Sequence, residues 1–460
     1  MTVFIIIGLY FAGLLLIGYL SSKKNKNSED FFVAGRSLNK WTAANTMAAT
    51  AIGSGTTIGV CTMAYEAGIS AGWILIGYSL GFVLIALLIG KKIYRLDALT
   101  LTDVVGSHYN ETVRNLTTLL VLISYVGIAC AQFVALGNIM MVLLGLSYKT
   151  SVIVCGIVVI IYTTMGGLSA LSLTDSYQLI INLIGVMVLL PLMGFGSTHG
   201  FTDIVAALPS SFFSMGSYGV AATLGFFSWI IPQAFLSQEL WVRIFACKDE
   251  KLAVQSTLIA SVGIYLPYAV SVVSVGLIAA TLIPGLVGDA VLPTLISRLG
   301  NPVIQGILLA GLIAAVMSCA DSVLLVSSSN LIHDLWCRAL GHKIAPENEL
   351  KASRLGVVII GVLGLVLALF AQNIISVMQL MATPFVGSIF PIVLAMFFWK
   401  KVTNKGAVIT ILAALVMFVI TGIMKVDILG QDPSFVTVVV CTVVLIISSL
   451  LTQDKTKKEA

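Results

Sequence analysis

Charge is what this chain has least of. Only 10% of its 460 residues are Asp, Glu, Lys or Arg, and 58% are hydrophobic. An ordinary soluble domain carries about 25% charged residues. Mean hydropathy is +1.06. Twenty-five basic and twenty acidic side chains cannot coat the roughly two or three soluble domains that this length implies. Much of the surface must therefore face lipid, which excludes an ordinary soluble enzyme, a nucleic-acid binder and a disordered scaffold. Metal and redox signals are missing too. The seven cysteines form no C-x-x-C pair and the four histidines are scattered, so neither a disulfide framework nor a zinc site is encoded. There is no phosphate-binding P-loop, which argues against an ATP-driven pump. No Ser/His/Asp or H-E-x-x-H pattern lies in the apolar stretches, so no enzyme activity and no cofactor are expected.

Long apolar runs are abundant. Thirteen segments between residues 2 and 452 reach the roughly 20 apolar residues that a membrane-spanning helix needs. The first, 2–20, is expected to be a retained helix rather than a signal peptide, because Lys23, Lys24 and Lys26 follow it instead of preceding it. Twenty-two of the twenty-five basic residues fall in one set of alternate loops, and only Lys149, Arg298 and Lys425 fall in the other. Basic loops mark the cytoplasmic side. A multi-pass protein of the cell membrane is expected, with its N-terminus outside and its C-terminus inside.

Two spans are unlike the rest. The second holds Gly53, Gly55 and Gly59 among small residues, and the seventh carries Gly225 and Pro232 around Phe226 and Trp229. Each alone fits small-residue packing or a proline kink, both common in membrane helices. They stand five spans apart, however, and an odd offset gives spans two to six and seven to eleven opposite orientations. Interrupted helices at matching places of two inverted halves point to the binding site of a secondary transporter. The expected layout is all-α: an N-terminal extra helix and loop (1–40), a first repeat of five helices (41–198), a second (199–400), and two C-terminal helices with a tail (401–460).

Polar residues inside the spans are functional candidates. Asp175 closes the fifth span. Asp321 lies within the ninth, where a charge costs about 2.5–3.5 kcal/mol. Ala315, Ser318, Cys319 and Ser322 recur on one helical face of that span, and Asp321 borders it. Oxygen ligands of this kind suit a hard cation. The bland alternatives are a solvated Asp175 and hydroxyls bonded to their own helix. Glu239 and Arg243 are spaced i, i+4 and read as a structural ion pair. Asn45, Thr50, Gln132, Phe226, Trp229, Gln233 and Gln379 are candidates to line a solute.

Three motifs carry a family likeness: Gly35-Arg36-Ser37-Leu38; Gly166-Gly167-Leu168-x-Ala170-x-x-x-Thr174-Asp175-x-x-Gln178; and Ala314-Ala315-Val316-Met317-Ser318. With them the chain resembles the sodium:solute symporter family over about residues 5–450. The resemblance implies a LeuT-type five-plus-five inverted repeat within thirteen helices, and Na⁺ as the coupling ion. It carries a principal sodium site onto Ala43, Thr46, Ala315, Ser318 and Cys319. Cys319 departs from the family's usual hydroxyl, and a thiol is a poor ligand for a hard ion. A second cation site is carried onto Asp175, Ser318, Asp321 and Ser322. The expected activity is Na⁺-coupled symport of a small neutral, zwitterionic or choline-like solute by alternating access, with the chain working as a monomer in the bilayer. Proton coupling through Asp321 and Asp175, and a channel or sensor on the same scaffold, are the rivals.

Overall fold

A computed structural model describes residues 2–22, 36–96, 98, 100–165, 168–286, 288–371, 373–428 and 430–453. Gly35, Gly166 and Gly167 of the family motifs lie outside the described residues, as do Lys23, Lys24, Lys26, Lys455, Lys457 and Lys458.

The described chain is helical, apart from an isolated β-bridge between Leu38 and Cys247. Among the described residues, eleven helices are long and apolar enough to cross a membrane. A further apolar helix, α1 (Thr2–Ser22), precedes them. The helices that frame the site are α2 (Lys40–Ala51), α3 (Val60–Ala67), α4 (Gly72–Leu84), α5 (Glu111–Leu144), α6 (Tyr148–Met165), α7 (Leu168–Asn182), α8 (Gly219–Phe235), α9 (Gln238–Phe245), α10 (Leu266–Leu282), α11 (Pro302–Ser329), α12 (Pro346–Ala368), α13 (Ile374–Phe398), α14 (Asn404–Met417) and α15 (Pro433–Leu451).

Local chemistry sets many of the ends. The Asn39 side chain accepts the amides of Trp41 and Thr42 and so starts α2. Asn110 and Asn301 cap α5 and α11 in the same way, and Pro302 follows Asn301 at the first helical position, where its missing N–H costs nothing. α5 stops at Gly145, whose φ of +66° suits glycine.

Most helices keep one face toward lipid and one toward the interior. α5 and α11 differ, being buried along most of their length. They form the central pair, since α5 packs on α6, α11, α12 and α13, and α11 packs on α1, α2, α5, α7 and α12. α14 and α15 pack on one another and on α13 at the periphery.

Both irregular spans break. The first runs as α2 to Ala51, is interrupted at Ile52–Ser54, and resumes as a π-helical turn Gly55–Gly59 leading into α3. The second runs as α8 to Phe235 and restarts as α9 at Gln238. Pro232 is accommodated inside α8, so this break falls at Leu236–Ser237, one turn later than the proline and well beyond Gly225. Gly225 instead makes room for Asp432, whose Cβ lies 2.5 Å from where an alanine Cβ would stand.

Candidate cation and solute site

At the first break the helical ladder is handed to side chains. The Gly53 amide donates to Thr56 Oγ1 (3.0 Å), and the Ser54 amide donates to Gln132 Oε1 (3.0 Å). Thr56 Oγ1 in turn donates to the Ala51 carbonyl (3.0 Å). The main-chain ladder resumes where the Thr57 amide reaches Gly53 O. The carbonyls of Ala49, Thr50 and Ile52 thus leave the ladder inside the protein, where irregular backbone is tolerated because it is buried or lines a cavity.

Ser318 of α11 meets this break. Its Oγ lies 3.2 Å from the Ala49 carbonyl and 3.1 Å from that of Ala315. Beside it, α11 and the break approach closely. A Cβ on Gly53 would sit 2.8 Å from both Cβ and Sγ of Cys319, so only glycine fits there without a shift. Ala315, Ser318 and Cys319 therefore do converge on the broken helix. Ala43 and Thr46 do not. Both lie inside the regular part of α2, and Thr46 is engaged elsewhere.

That engagement centres on Arg243. The guanidinium is buried (1% exposed). It donates to Thr46 Oγ1 (2.9 Å), to Ser322 Oγ (2.7 Å), to Asp175 Oδ2 (3.0 Å) and to the Glu239 main-chain carbonyl (3.0 Å). Thr46 Oγ1 also donates to Asp175 Oδ2. Two of the four residues expected to hold a second cation, Asp175 and Ser322, thus meet on a fixed cation from α9. Asp321 turns the other way and accepts from Thr163 Oγ1 (2.6 Å). Successive residues of a helix point about 100° apart, so Asp321 and Ser322 face different neighbours. The expected ion pair between Glu239 and Arg243 is absent among the described residues, because Arg243 takes the Glu239 carbonyl rather than its carboxylate.

Glu239 is anchored differently. Its Oε2 accepts from Tyr125 Oη (2.6 Å) and Ser237 Oγ (2.8 Å), while the Gln238 amide donates to Tyr125 Oη (2.7 Å). Tyr125 and Gln132 stand seven residues apart on one face of α5. Gln132 holds the first break and Tyr125 the second, so a single buried helix supports both. Sequence reasoning missed Tyr125. Its signal was the i, i+7 spacing from Gln132 in an otherwise apolar helix.

Between the two breaks lies a cavity with about 40 Å³ for the centres of water molecules, room for a few waters. Thr50, Gln132, Trp229, Gln233, Cys319 and Glu239 all line it. Four of the seven expected solute residues, Thr50, Gln132, Trp229 and Gln233, are thereby placed together. Asn45 lies on α2 short of the break. Phe226 packs edge-on against Tyr218 at 5.3 Å. Gln379 donates to Asp432 (2.9 Å) and Ser434 (3.1 Å) on the other side of α13. Gln132 Nε2, Trp229 Nε1 and Gln233 Oε1 are buried without a partner among the described residues. Each unpaired buried polar group costs about 1–3 kcal/mol, a cost that a bound solute can offset.

A second polar cluster lies around residues 102–114 and 330–338. Arg114 (1% exposed) donates to Asp334 (2.8 Å) and Asp103 (2.9 Å), and Asp103 also accepts from Arg338 (2.8 Å).

Broken helices crossing at a buried polar centre define a class: an all-helical, multi-pass membrane transporter. The model of the sodium:solute symporter family matches residues 31–414, and the chain belongs to that family. It is 26% identical over 437 residues to the sodium/proline symporter of Staphylococcus aureus, covering 88% of this chain and 83% of the relative. In fold it is similar to a Na⁺-coupled sialic acid symporter in a substrate-bound outward-open state, with a TM-score of 0.83, 20% identity and 98% of each chain covered. It is also similar to a nucleobase-cation-symport-1 family transporter in a closed conformation, with a TM-score of 0.59, 15% identity, and 93% and 95% of the two chains covered. The family and these relatives are symporters rather than enzymes, and Na⁺ is the coupling ion.

Proposed function

We propose that the protein takes up a small organic solute by Na⁺ symport with alternating access, the solute seated in the cavity between the breaks. The observation that carries this reading is the approach of Ser318 Oγ to the Ala49 carbonyl (3.2 Å) where α2 leaves its ladder. The donors there are carbonyls and a hydroxyl, which suit a hard cation. Ser318 and the carbonyls of Ala315, Ala49 and Ile52 would hold Na⁺, with Cys319 beside it as a weak ligand. Ala49 and Ile52 take the places expected of Ala43 and Thr46. Na⁺ there ties α11 to the first break and favours the outward-open state. Rocking then exposes ion and solute to the inside. A charge falling through ~100 mV supplies about 2.3 kcal/mol, and a tenfold gradient adds about 1.4 kcal/mol. One Na⁺ thus supports accumulation of several hundredfold.

Arg243 bears on the stoichiometry. A guanidinium already bonded to Asp175 and Ser322 stands where a second cation would be held, which supports coupling to a single Na⁺. Thirteen spans, an N-terminus outside and a five-plus-five inverted repeat complete the reading. It is supported by breaks five spans apart and by the clustering of Arg95, Arg114 and Arg338 with acidic partners near the ends of spans. The test is uptake by purified protein in liposomes under an inward Na⁺ gradient. Ser318→Ala should raise the Na⁺ concentration for half-maximal uptake at least tenfold, and an unchanged Na⁺ dependence would remove Ser318 from the ion.

A further inference from the structure

Glu239 is a carboxylate in the wrong company for a purely structural role. Both of its side-chain hydrogen bonds fall on one oxygen, Oε2, from Tyr125 and Ser237. Among the described residues no basic side chain pairs with the carboxylate. Arg243, one helical turn on, spends its Nη1 on the Glu239 main-chain carbonyl (3.0 Å) and its Nη2 on Asp175 and Ser322. Glu239 is 6% exposed, and it lines the cavity with Gln132, Trp229 and Gln233. In its ionised form, a buried acid that is hydrogen-bonded on one side and lacks a counter-ion is stabilised by positive charge supplied from elsewhere.

We propose that Glu239 is the anionic anchor of the solute cavity, and that the transported solute carries a cationic nitrogen, as an ammonium or a quaternary ammonium. Tyr125 and Ser237 fix the carboxylate's direction. Trp229, which lines the same cavity, is an aromatic partner for cation–π attraction to the same group. Gln132 Nε2 and Trp229 Nε1, both unpartnered, are donors for an oxygen elsewhere on the solute. Uncharged sugars leave the acid unpaired, and anions are repelled by it. The cavity's small volume selects small members of the class. The inference rests on the symport reading above for the identity of the cavity.

The experiment uses purified full-length protein in detergent and reads thermal stabilisation. Na⁺ alone comes first, against K⁺, and tests the symporter reading by itself. Candidate solutes follow in Na⁺: the twenty protein amino acids and choline as cationic-nitrogen probes, N-acetylproline and D-glucose as uncharged-nitrogen and neutral controls, and N-acetylneuraminic acid as an anion. At least one amino acid or choline should stabilise the protein, and the arms separate ammonium from quaternary ammonium. Loss of the positive charge, as in N-acetylproline against proline where proline binds, should weaken binding at least tenfold. Glu239→Gln should weaken the stabilising solute at least tenfold while leaving stabilisation by Na⁺ alone within twofold, and Glu239→Asp should recover part of the loss. Stabilisation only by the sugar or the anion, or by none of the cationic-nitrogen probes, overturns the proposal without touching the Na⁺ result. Weakened Na⁺ binding in Glu239→Gln without solute also overturns it, by assigning the carboxylate to the ion. Should Glu239→Gln not fold, the comparison of charged and N-acetylated probes on the unaltered protein decides.

Discussion

Replacing Arg243 by methionine isolates the electrostatics at the centre of the protein. The guanidinium is 1% exposed and Asp175 is fully buried. Removing one partner of a buried ion pair costs about 3–5 kcal/mol, because the other charge is left uncompensated. Arg243→Met should therefore destabilise by about 3–5 kcal/mol. Asp175→Asn should cost a similar amount, since it strands the guanidinium. If the two acted independently the double variant would lose about 6–10 kcal/mol. It removes both charges together, however, so the loss should stay near that of one single variant, a coupling of about 3–5 kcal/mol. The remaining bonds of the guanidinium to Thr46 and Ser322, worth about 1.5–3 kcal/mol each, are lost in Arg243→Met and in the double variant alike and so cancel from the coupling. Denaturation of the four proteins in mixed micelles, read by tryptophan fluorescence, measures the cycle. Losses that add to within about 0.5 kcal/mol, as distant independent sites do, would refute the pairing. The same variants carry a functional signature. Vacating the guanidinium beside an intact Asp175 should let a second Na⁺ enter, so the Na⁺ dependence of Arg243→Met should steepen from a Hill coefficient near one.

Three further outcomes are expected. Cys319→Ser replaces a soft ligand by a hydroxyl and should lower the Na⁺ concentration for half-maximal uptake several-fold; an unchanged value would turn the thiol away from the ion. Trp229→Ala should raise the solute concentration for half-maximal uptake by about tenfold or more and leave Na⁺ affinity within twofold, and the reverse pattern would take Trp229 out of the solute cavity. Gly53→Ala places a methyl against Cys319, and overpacking of this kind costs about 1–3 kcal/mol. It should weaken Na⁺ binding by prising α11 from the break, with recovery in Gly53→Ala/Cys319→Gly, which removes the Cβ as well as the Sγ that the new methyl meets, and none if the two helices do not touch.

Much of this arrangement could be read from residue types. Membrane spans announce themselves because lipid permits few charges, and the glycines at 53, 55 and 59 flagged the first break because they lower the cost of irregular backbone. The residue numbers within the breaks were harder to read. A small-residue helix such as α2 repeats similar steps every turn, so the motif pointed to Ala43 and Thr46, while the carbonyl that Ser318 approaches at the break is that of Ala49. The second break was drawn to Gly225 and Pro232, yet it falls at Leu236–Ser237, where Tyr125 of another helix receives the Gln238 amide. Partners more than a hundred residues apart decide that, and a single sequence has no way to pair them. The same holds for Arg243. Its i, i+4 spacing from Glu239 suggested a local bridge, while the carboxylate that captures it comes from α7.

The lone β-bridge between Leu38 and Cys247 carries a mechanical consequence. The Leu38 amide donates to the Ala246 carbonyl (3.0 Å), and the Lys248 amide donates to Leu38 O (3.2 Å). These bonds yoke the start of α2 to the end of α9, so half-helices of the two broken spans share one handle. When either tilts, the other is carried with it, and Arg243 travels with its bonds to Thr46 intact. Any movement of this yoked pair against the rest of the protein then falls on other seams, such as that with α7, where side-chain contacts like Arg243 to Asp175 can be exchanged without tearing main chain.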